Sequence, residues 1–576
     1  MSGIHPVDAI VLIVYLIGIT LLGSWMARGV TSMADYFMPR RFGKATMIMH
    51  AFGTGTASDQ AVTVASATVK DGLSGIWYQW MWLFSTPFYW IIAPIMRRFR
   101  AVTTADVYEL RYDRSVSVLF AVVGIVGMAV KIGVMLKGAG ALIDSGTGGL
   151  IDADLAIPII TVLFVIYGMA GGLSGAIMTD FVQGLMTIVF SVMLLPVILS
   201  EVGGINGVRE TITSAHLNKN MLSLVAPGNI GIFYVTLLSV NSLFLIVAMP
   251  SVMGNCAAGR TEMDGRVGFM FGTLAKRICT IAWCVTAIAA VAWYLQNGIN
   301  LSDVDPDQVY GDVAYRFLPK LLPGMLGIFI ASLLAAVMSS CDSFMLASSA
   351  LFTENIYKNL LPDRSSSHYI WVGRIFSLIV VVAGIAVAWS IEGVVEGLKV
   401  WYKVFPMMGI AFWMGLLWRR ATVAGAWTST LTGFAAWWLV TQTYFIDWVA
   451  TLGVSQSLRL VIENNGTFEI YEPWQIIFYL GAGLTAGIIV SLFTPSVNEE
   501  RLNRFYDLTR TPIYDNETIG EPCTLPEGIE PVKRLMWTTA LGLEIPRPSR
   551  TSVIGFIIGW VCIGVLIGGF IALINY

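Results

Sequence analysis

Apolar runs long enough to cross the ~30 Å hydrocarbon core of a bilayer recur along almost the whole chain, separated by short polar connections. They predict about fourteen transmembrane helices: 8–27, 45–66, 76–96, 116–142, 154–172, 174–200, 229–253, 268–294, 319–357, 369–391, 396–418, 421–445, 474–493 and 552–574. Lys and Arg gather in every second connection: Arg28, Arg40, Arg41 and Lys44; Arg97, Arg98, Arg100, Arg111 and Arg114; Arg260 and Arg266; Lys358, Arg364 and Arg374; Arg419 and Arg420. The intervening ones are acidic or neutral, as at Asp303, Asp305, Asp307 and Asp312. Basic loops stay inside, so both termini are expected outside. The charge-dense segment 494–551 falls on the inner side, expected as a solvated tail with a short interfacial helix near Val532–Leu541.

Two runs carry breaks. In AFGTGTASDQ, Gly53 and Gly55 interrupt the second run beside the hydroxyls of Thr54, Thr56 and Ser58. In VNSLFLIVAMPSVMGN, Pro250 removes a backbone donor from the seventh run and Asn241 adds a polar group at depth. Unpaired backbone in lipid is tolerated only around a cavity, although glycines in membrane helices also serve close packing. The two runs stand five apart, as in an inverted-repeat transporter with a site at the midplane. The expected organisation is a leading helix and inner loop (1–44), a first five-helix repeat (45–200) and a second (229–418). Two added helices (419–493), the polar segment (494–551) and a final helix (552–576) follow.

Composition narrows the function. Only 35 Lys+Arg and 37 Asp+Glu serve 576 residues, of which 56% are hydrophobic, and the mean hydropathy is +0.72. So few charges leave a soluble surface uncovered, so a multi-pass protein of the plasma or inner membrane is expected, with the bilayer as its surroundings. A net charge of −2 without a basic cluster argues against nucleic-acid binding. The six cysteines show no disulfide or zinc spacing, and the apolar start without a basic flank reads as a retained helix.

Ser339, Ser340, Asp342 and Ser343 place four oxygen-bearing side chains within five residues of the ninth run. Ser339 shares a helix face with Ser343 at i, i+4 and with Asp342 at i, i+3, so hard oxygens can converge on a cation. Serines alone have another use, bonding back to the preceding turn; a carboxylate at membrane depth points to function. Asp180, after Thr179 in the sixth run, is a second such acid. If the two acids approach, a bound cation keeps both ionised, and without it one takes a proton. Lys131 is an ammonium well inside an apolar run with no acid within a turn; a salt bridge to Asp59, snorkelling outward and a contact to a solute carboxylate are all open.

These residues carry a resemblance. The opening VDAIVLIVYLIGITLLGSWMAR with ADYFMPRR, TTADVYELRYD, YGMAGGLSGAIMTDFVQ, NCAAGRTEMDGR and LLAAVMSSCDSFMLASSALFTENIY together resemble the sodium:solute symporter family, built on the LeuT-like inverted-repeat fold. The resemblance implies an all-α polytopic protein of two five-helix inverted repeats with broken first helices. It implies a sodium ion held by the backbone carbonyls of Gly53, Thr56 and Ala336 and the hydroxyls of Ser339 and Ser340. A second cation position falls on Asp180, Ser339, Asp342 and Ser343, with a carboxylate where some members have a hydroxyl. The implied solute pocket takes in Gly55, Asp59, Gln60, Gln79, Lys131, Asn241, Met249, Tyr402, Lys403 and Phe405, with Trp80, Trp82 and Trp401 as candidate gates. Sugar-carrying relatives have Asn where Gly55 stands and Glu where Gln79 stands, which disfavours a sugar.

The expected activity is sodium-coupled symport of a small polar or anionic organic solute by alternating access, with no obligate protein partner. One charge entering down 100 mV supplies ~2.3 kcal/mol, enough for about fifty-fold accumulation at ~1.4 kcal/mol per decade. Proton coupling through Asp342, and a transporter-derived sensor acting through 494–551, are the alternatives. An enzyme is disfavoured: H-E-x-x-H and G-x-S-x-G are absent, and the four histidines, His5, His50, His216 and His368, form no sequence cluster.

Overall fold

A computed structural model describes residues 5–27, 36–215, 220–226, 230–464, 466–514, 517 and 521–575; Arg28 of the first basic loop lies outside them. The main helices are α1 (Pro6–Ala27), α2 (Lys44–Gly53), α3 (Ser58–Asp71), α4 (Thr86–Arg98), α5 (Arg114–Gly146), α6 (Ala153–Val192), α7 (Ile232–Ala248), α8 (Ser251–Ala257) and α9 (Glu262–Gln296). They continue with α10 (Met325–Ala350), α11 (Ser366–Ser390), α12 (Val394–Leu417), α13 (Val423–Leu439), α14 (Glu472–Phe493), α15 (Glu499–Arg510) and α16 (Arg550–Asn575). A hairpin of β1 (Val461–Asn464) and β2 (Thr467–Ile470) precedes α14.

Among the described residues, nine helices are long and apolar enough to cross a membrane, or ten with the bent pair α7/α8. The expected number of about fourteen is therefore not reached by that measure. The difference lies in helices that are short or interrupted: α2 and α3 share one expected run, α4 has 13 residues and α13 has 17. The runs expected at 154–172 and 174–200 join in α6, which kinks at Gly172 (φ +56°). A side chain at Gly172 would meet Tyr36 at 2.6 Å, so the kink lets the segment entering α2 pass against the helix.

Both predicted breaks are present. α2 ends where Thr54 turns extended (ψ 108°) and Gly55 takes φ +78°, a conformation costly for any side chain. α7 ends at Met249, and Pro250, which has no N–H to continue the ladder, starts α8 at 75° to it. α2 packs against α6 and α9, and α10 against α5 and α6, so the first break faces the serine-bearing stretch of α10.

The described residues of the 494–551 segment are folded against the body, which corrects the expectation of a solvated tail. α15 lies under the helix Thr104–Arg111, Glu517 forms an ion pair with fully buried Arg100, and Arg504 donates to Cys523 O at 3.0 Å. The interfacial helix expected near Val532–Leu541 is also corrected. Here β3 (Met536–Thr538) pairs antiparallel with β4 (Ile545–Pro546), and a single 3₁₀ turn covers Ala540–Gly542. Exposure alternates with period two from Lys533 to Thr538, the rhythm of a strand rather than a helix.

Candidate cation and solute site

The break between α2 and α3 is held by Ser340 from α10. Its Oγ donates to Gly53 O at 3.0 Å and accepts from Gly55 N at 3.1 Å, so one hydroxyl bridges the two sides of the interruption. Thr56 N also donates to Gly53 O (3.0 Å), and Thr56 Oγ1 donates to Phe52 O. Thr54 and Ser343 exchange a hydrogen bond of 3.2 Å between hydroxyls. Ser339 lies against Gly53 so closely that a methyl group there would come within 2.7 Å of Ser339 Oγ. Ala336 is fully buried one turn earlier on α10. Hydroxyls, carbonyls and a glycine that leaves room for them form a hard-oxygen set suited to an alkali cation.

Asp180 on α6 joins this group through Ser339, whose Oγ donates to its Oδ1 at 2.5 Å. Its other oxygen accepts from His50 Nδ1 at 2.6 Å. The acid thus engages His50 and Ser339, whereas Asp342 lies against Gly168, where an added methyl would meet its Oδ1 at 2.2 Å. Both acids are fully buried.

The solute candidates divide into two groups. Around the break, Gln60 donates to Gly55 O, and Lys131 donates to Asp59 Oδ2 at 2.6 Å with both side chains buried. Trp401 covers that ammonium at 4.8 Å and leans on Trp82. Farther along the bundle, Asn241 donates to Tyr402 O at 3.0 Å and accepts from Tyr479 at 2.7 Å. Tyr402 donates to Glu472, and Lys403 lies 3.4 Å from the same carboxylate and donates to Gln475. The partners of Lys403 are therefore on α14. Gln79 O accepts from Arg277 at 2.5 Å, Met249 stands at the second break, and Phe405 fills the space left by Gly127.

Three residues not among the candidate site residues of the sequence reading belong here. His50 pairs Asp180; Glu472 also accepts from Tyr234. Lys276, midway along α9, donates its buried ammonium to Thr54 O inside the break, 3.7 Å from where a side chain on Gly55 would begin. Among the described residues no carboxylate lies within ion-pair distance of it. The signal was available: Lys276 is as isolated from acids in its run as Lys131 is in its own.

The profile of the sodium:solute symporter family matches residues 36–433. The osmoregulated proline transporter OpuE of Bacillus subtilis (strain 168) is 23% identical over 84% of this chain and 94% of its own length. The sodium/glucose cotransporter of Vibrio parahaemolyticus is 24% identical over 74% and 83%. Among solved structures, a substrate-bound, outward-open Na⁺-coupled sialic acid symporter superposes with a TM-score of 0.68 at 17% identity, covering 86% of this chain and 99% of that one. With its two broken helices and most of its length matched, this multi-pass chain belongs to the sodium:solute symporter family.

Proposed function

We propose that the protein carries a small anionic organic solute across the cell membrane together with sodium, by alternating access. The observation that supports the coupling ion is Ser340, bridging Gly53 O and Gly55 N across the helix break. When its hydroxyl hydrogen turns away, its oxygen and Gly53 O can face one cation, with Thr56, Ala336 and Ser339 completing the set. A bound sodium would then tie α2 to α10, and its departure would free them to move apart. Asp180, Asp342 and Ser343 are the further cation candidates beside this set. The basic loops support an orientation with both termini outside.

The relatives' names include a zwitterionic amino acid, an acid and a neutral sugar, and Lys276 favours an acid here. Lys131 and Lys403 already face carboxylates, whereas among the described residues Lys276 has a carbonyl acceptor at the break and no ion pair. A buried ammonium gains most from an anionic partner, and the solute's carboxylate can supply it. Gly55 and Gln60 border the same spot, and Asp59 is held back by Lys131.

Thermal unfolding of the purified protein in detergent tests both parts. Sodium at a hundred times its Kd adds ~2.7 kcal/mol over potassium at equal ionic strength. With sodium present, small carboxylic acids raise the midpoint further than their amides, and Lys276→Met removes that discrimination. Equal midpoints in sodium and potassium would overturn the coupling ion; equal responses to acid and amide would overturn the solute class.

A further inference from the structure

An apolar groove of about 790 Å³ opens on the side of the bundle near the 494–551 segment, walled by α7, α12 and α14. Phe244, Trp413, Leu417, Ile488 and Leu492 line it, and Leu541 of the folded tail borders its end. Ile488 and Leu492 are exposed at membrane depth, so the groove opens sideways, where only lipid can reach it. Arg420 is its one charged lining residue. Two carbonyls, Leu492 O and Thr494 O, accept from Nη2 at 3.1 and 2.8 Å, while Nη1 is shut from solvent and makes no hydrogen bond. Neighbouring Arg419 is engaged with Glu499 and Glu544, so the adjacent positive charge is already balanced, whereas among the described residues no carboxylate pairs with Arg420.

The tail is fastened to this spot. Glu544 N donates to Leu417 O at 2.8 Å, Arg419 N to Gly542 O at 2.8 Å and Trp418 Nε1 to Leu541 O at 3.0 Å. These bonds hold Leu541 at φ +56° with 90% of its surface exposed, an unfavourable backbone for a leucine that is given nothing apolar to cover it. Leu535 and Trp537 are exposed beside it at 75% and 68%, and α16 enters the apolar layer four residues after β4. The hairpin therefore lies at the membrane boundary with its apolar side chains free.

We infer that the groove binds one phospholipid of the adjacent leaflet, an anionic one, with an acyl chain between α12 and α14 and its phosphate on Arg420. Ile410 to Leu417 covers about 11 Å of helix rise, close to the ~15 Å depth of one leaflet. Guanidinium matches phosphate in shape and charge, and Arg420 brings that charge to the lining of the groove. The lipid would bridge the tail, which is outside both repeats, to α12 and α7, which pack so tightly that a methyl on Gly409 would meet Phe244 O at 2.0 Å. This inference goes beyond symport and does not depend on which ion or solute is carried.

Native mass spectrometry of the full chain, delipidated and titrated with equimolar phosphatidylglycerol and phosphatidylcholine of identical acyl chains, tests it. The first lipid retained should be phosphatidylglycerol by about fivefold, the effect of one basic residue on an anionic headgroup. Arg420→Gln should bring the two lipids to parity, and Ile488→Trp, which fills the groove from its exposed wall, should lower retention of both. Inorganic phosphate should leave the ratio unchanged. Parity in the unmodified protein, a preference that survives both substitutions, or displacement by inorganic phosphate would each overturn the assignment.

Discussion

Lys131 and Asp59 form an ion pair of 2.6 Å inside the bundle, linking α5 to the first turn of α3 just past the break, with the ring of Trp401 over the ammonium. Asp59 also sits where a side chain on Gly138 would collide, 2.7 Å from its Cα, so α3 and α5 are pressed together at this point. The pair fixes the start of α3 and engages the Lys131 ammonium.

Lys131→Met should therefore destabilise strongly, by ~3–5 kcal/mol, because a buried carboxylate is left alone. Lys131→Met with Asp59→Asn should recover most of that loss, since neither charge remains. Thermal unfolding in detergent without solute reads both. A single variant as stable as the parent would return Lys131 to the solute pocket.

Gly53→Ala places a methyl 2.7 Å from Ser339 Oγ and 3.5 Å from Asp180 Cγ. Ser340→Ala removes the hydroxyl that bridges the break. Each should weaken sodium activation by about tenfold or more, the equivalent of losing one polar contact, while binding of phosphatidylglycerol stays unchanged. Sodium titrations of uptake or of thermal stability decide it, and normal sodium activation in Ser340→Ala would remove this residue from the site.

How much of this was legible depended on sequence separation. Gly53, Gly55 and Pro250 announce both breaks because backbone chemistry is local. Asp59 was readable as a partner for Lys131 because both are ionisable residues in apolar runs with little else to meet. The network of Glu472 with Tyr234, Tyr402 and Lys403 was not readable, since it requires α14 to dock 70 positions beyond Tyr402. Likewise, the tail reads as solvated from its charges alone. Only Arg100, buried among the inner loops, gives Glu517 a reason to be there, 417 positions away.

Asp307 precedes the helix Val309–Leu321 and accepts from Val394 N, the first residue of α12, at 3.1 Å. Burial raises its carboxyl above the ordinary 3.8, with the Val394 N–H pulling partly the other way. The folded state thus binds this proton more readily than the unfolded one. The contribution of this group to stability is fully present below about pH 3.8 and is lost as pH rises through the raised value. Asp307→Asn keeps an acceptor for Val394 and removes the titration, so its midpoint should exceed the parent's at neutral pH, and the gap should shrink on acidification. Parallel pH curves for the two proteins would exclude this group.

The Arg100–Glu517 pair joins the loop after α4 to the folded tail, and Arg100 also donates to Pro512 O at 3.2 Å and to Arg98 O at 3.0 Å. Arg98 in turn holds Glu262 and Thr509 O, and Glu262 accepts from Ile513 N. Thr509, Pro512, Ile513 and Glu517 are therefore fastened, directly or through Glu262, by two arginines. Glu517→Gln leaves a buried guanidinium without its counter-charge, a defect felt first by the tail because the arginine is enclosed by the body on its other side. Local opening should rise enough for limited proteolysis to cleave within 511–549 about tenfold faster or more, with the sodium response unaltered. Unchanged cleavage would mean that the contacts of Arg419 and Arg510 with Glu544 hold the tail by themselves.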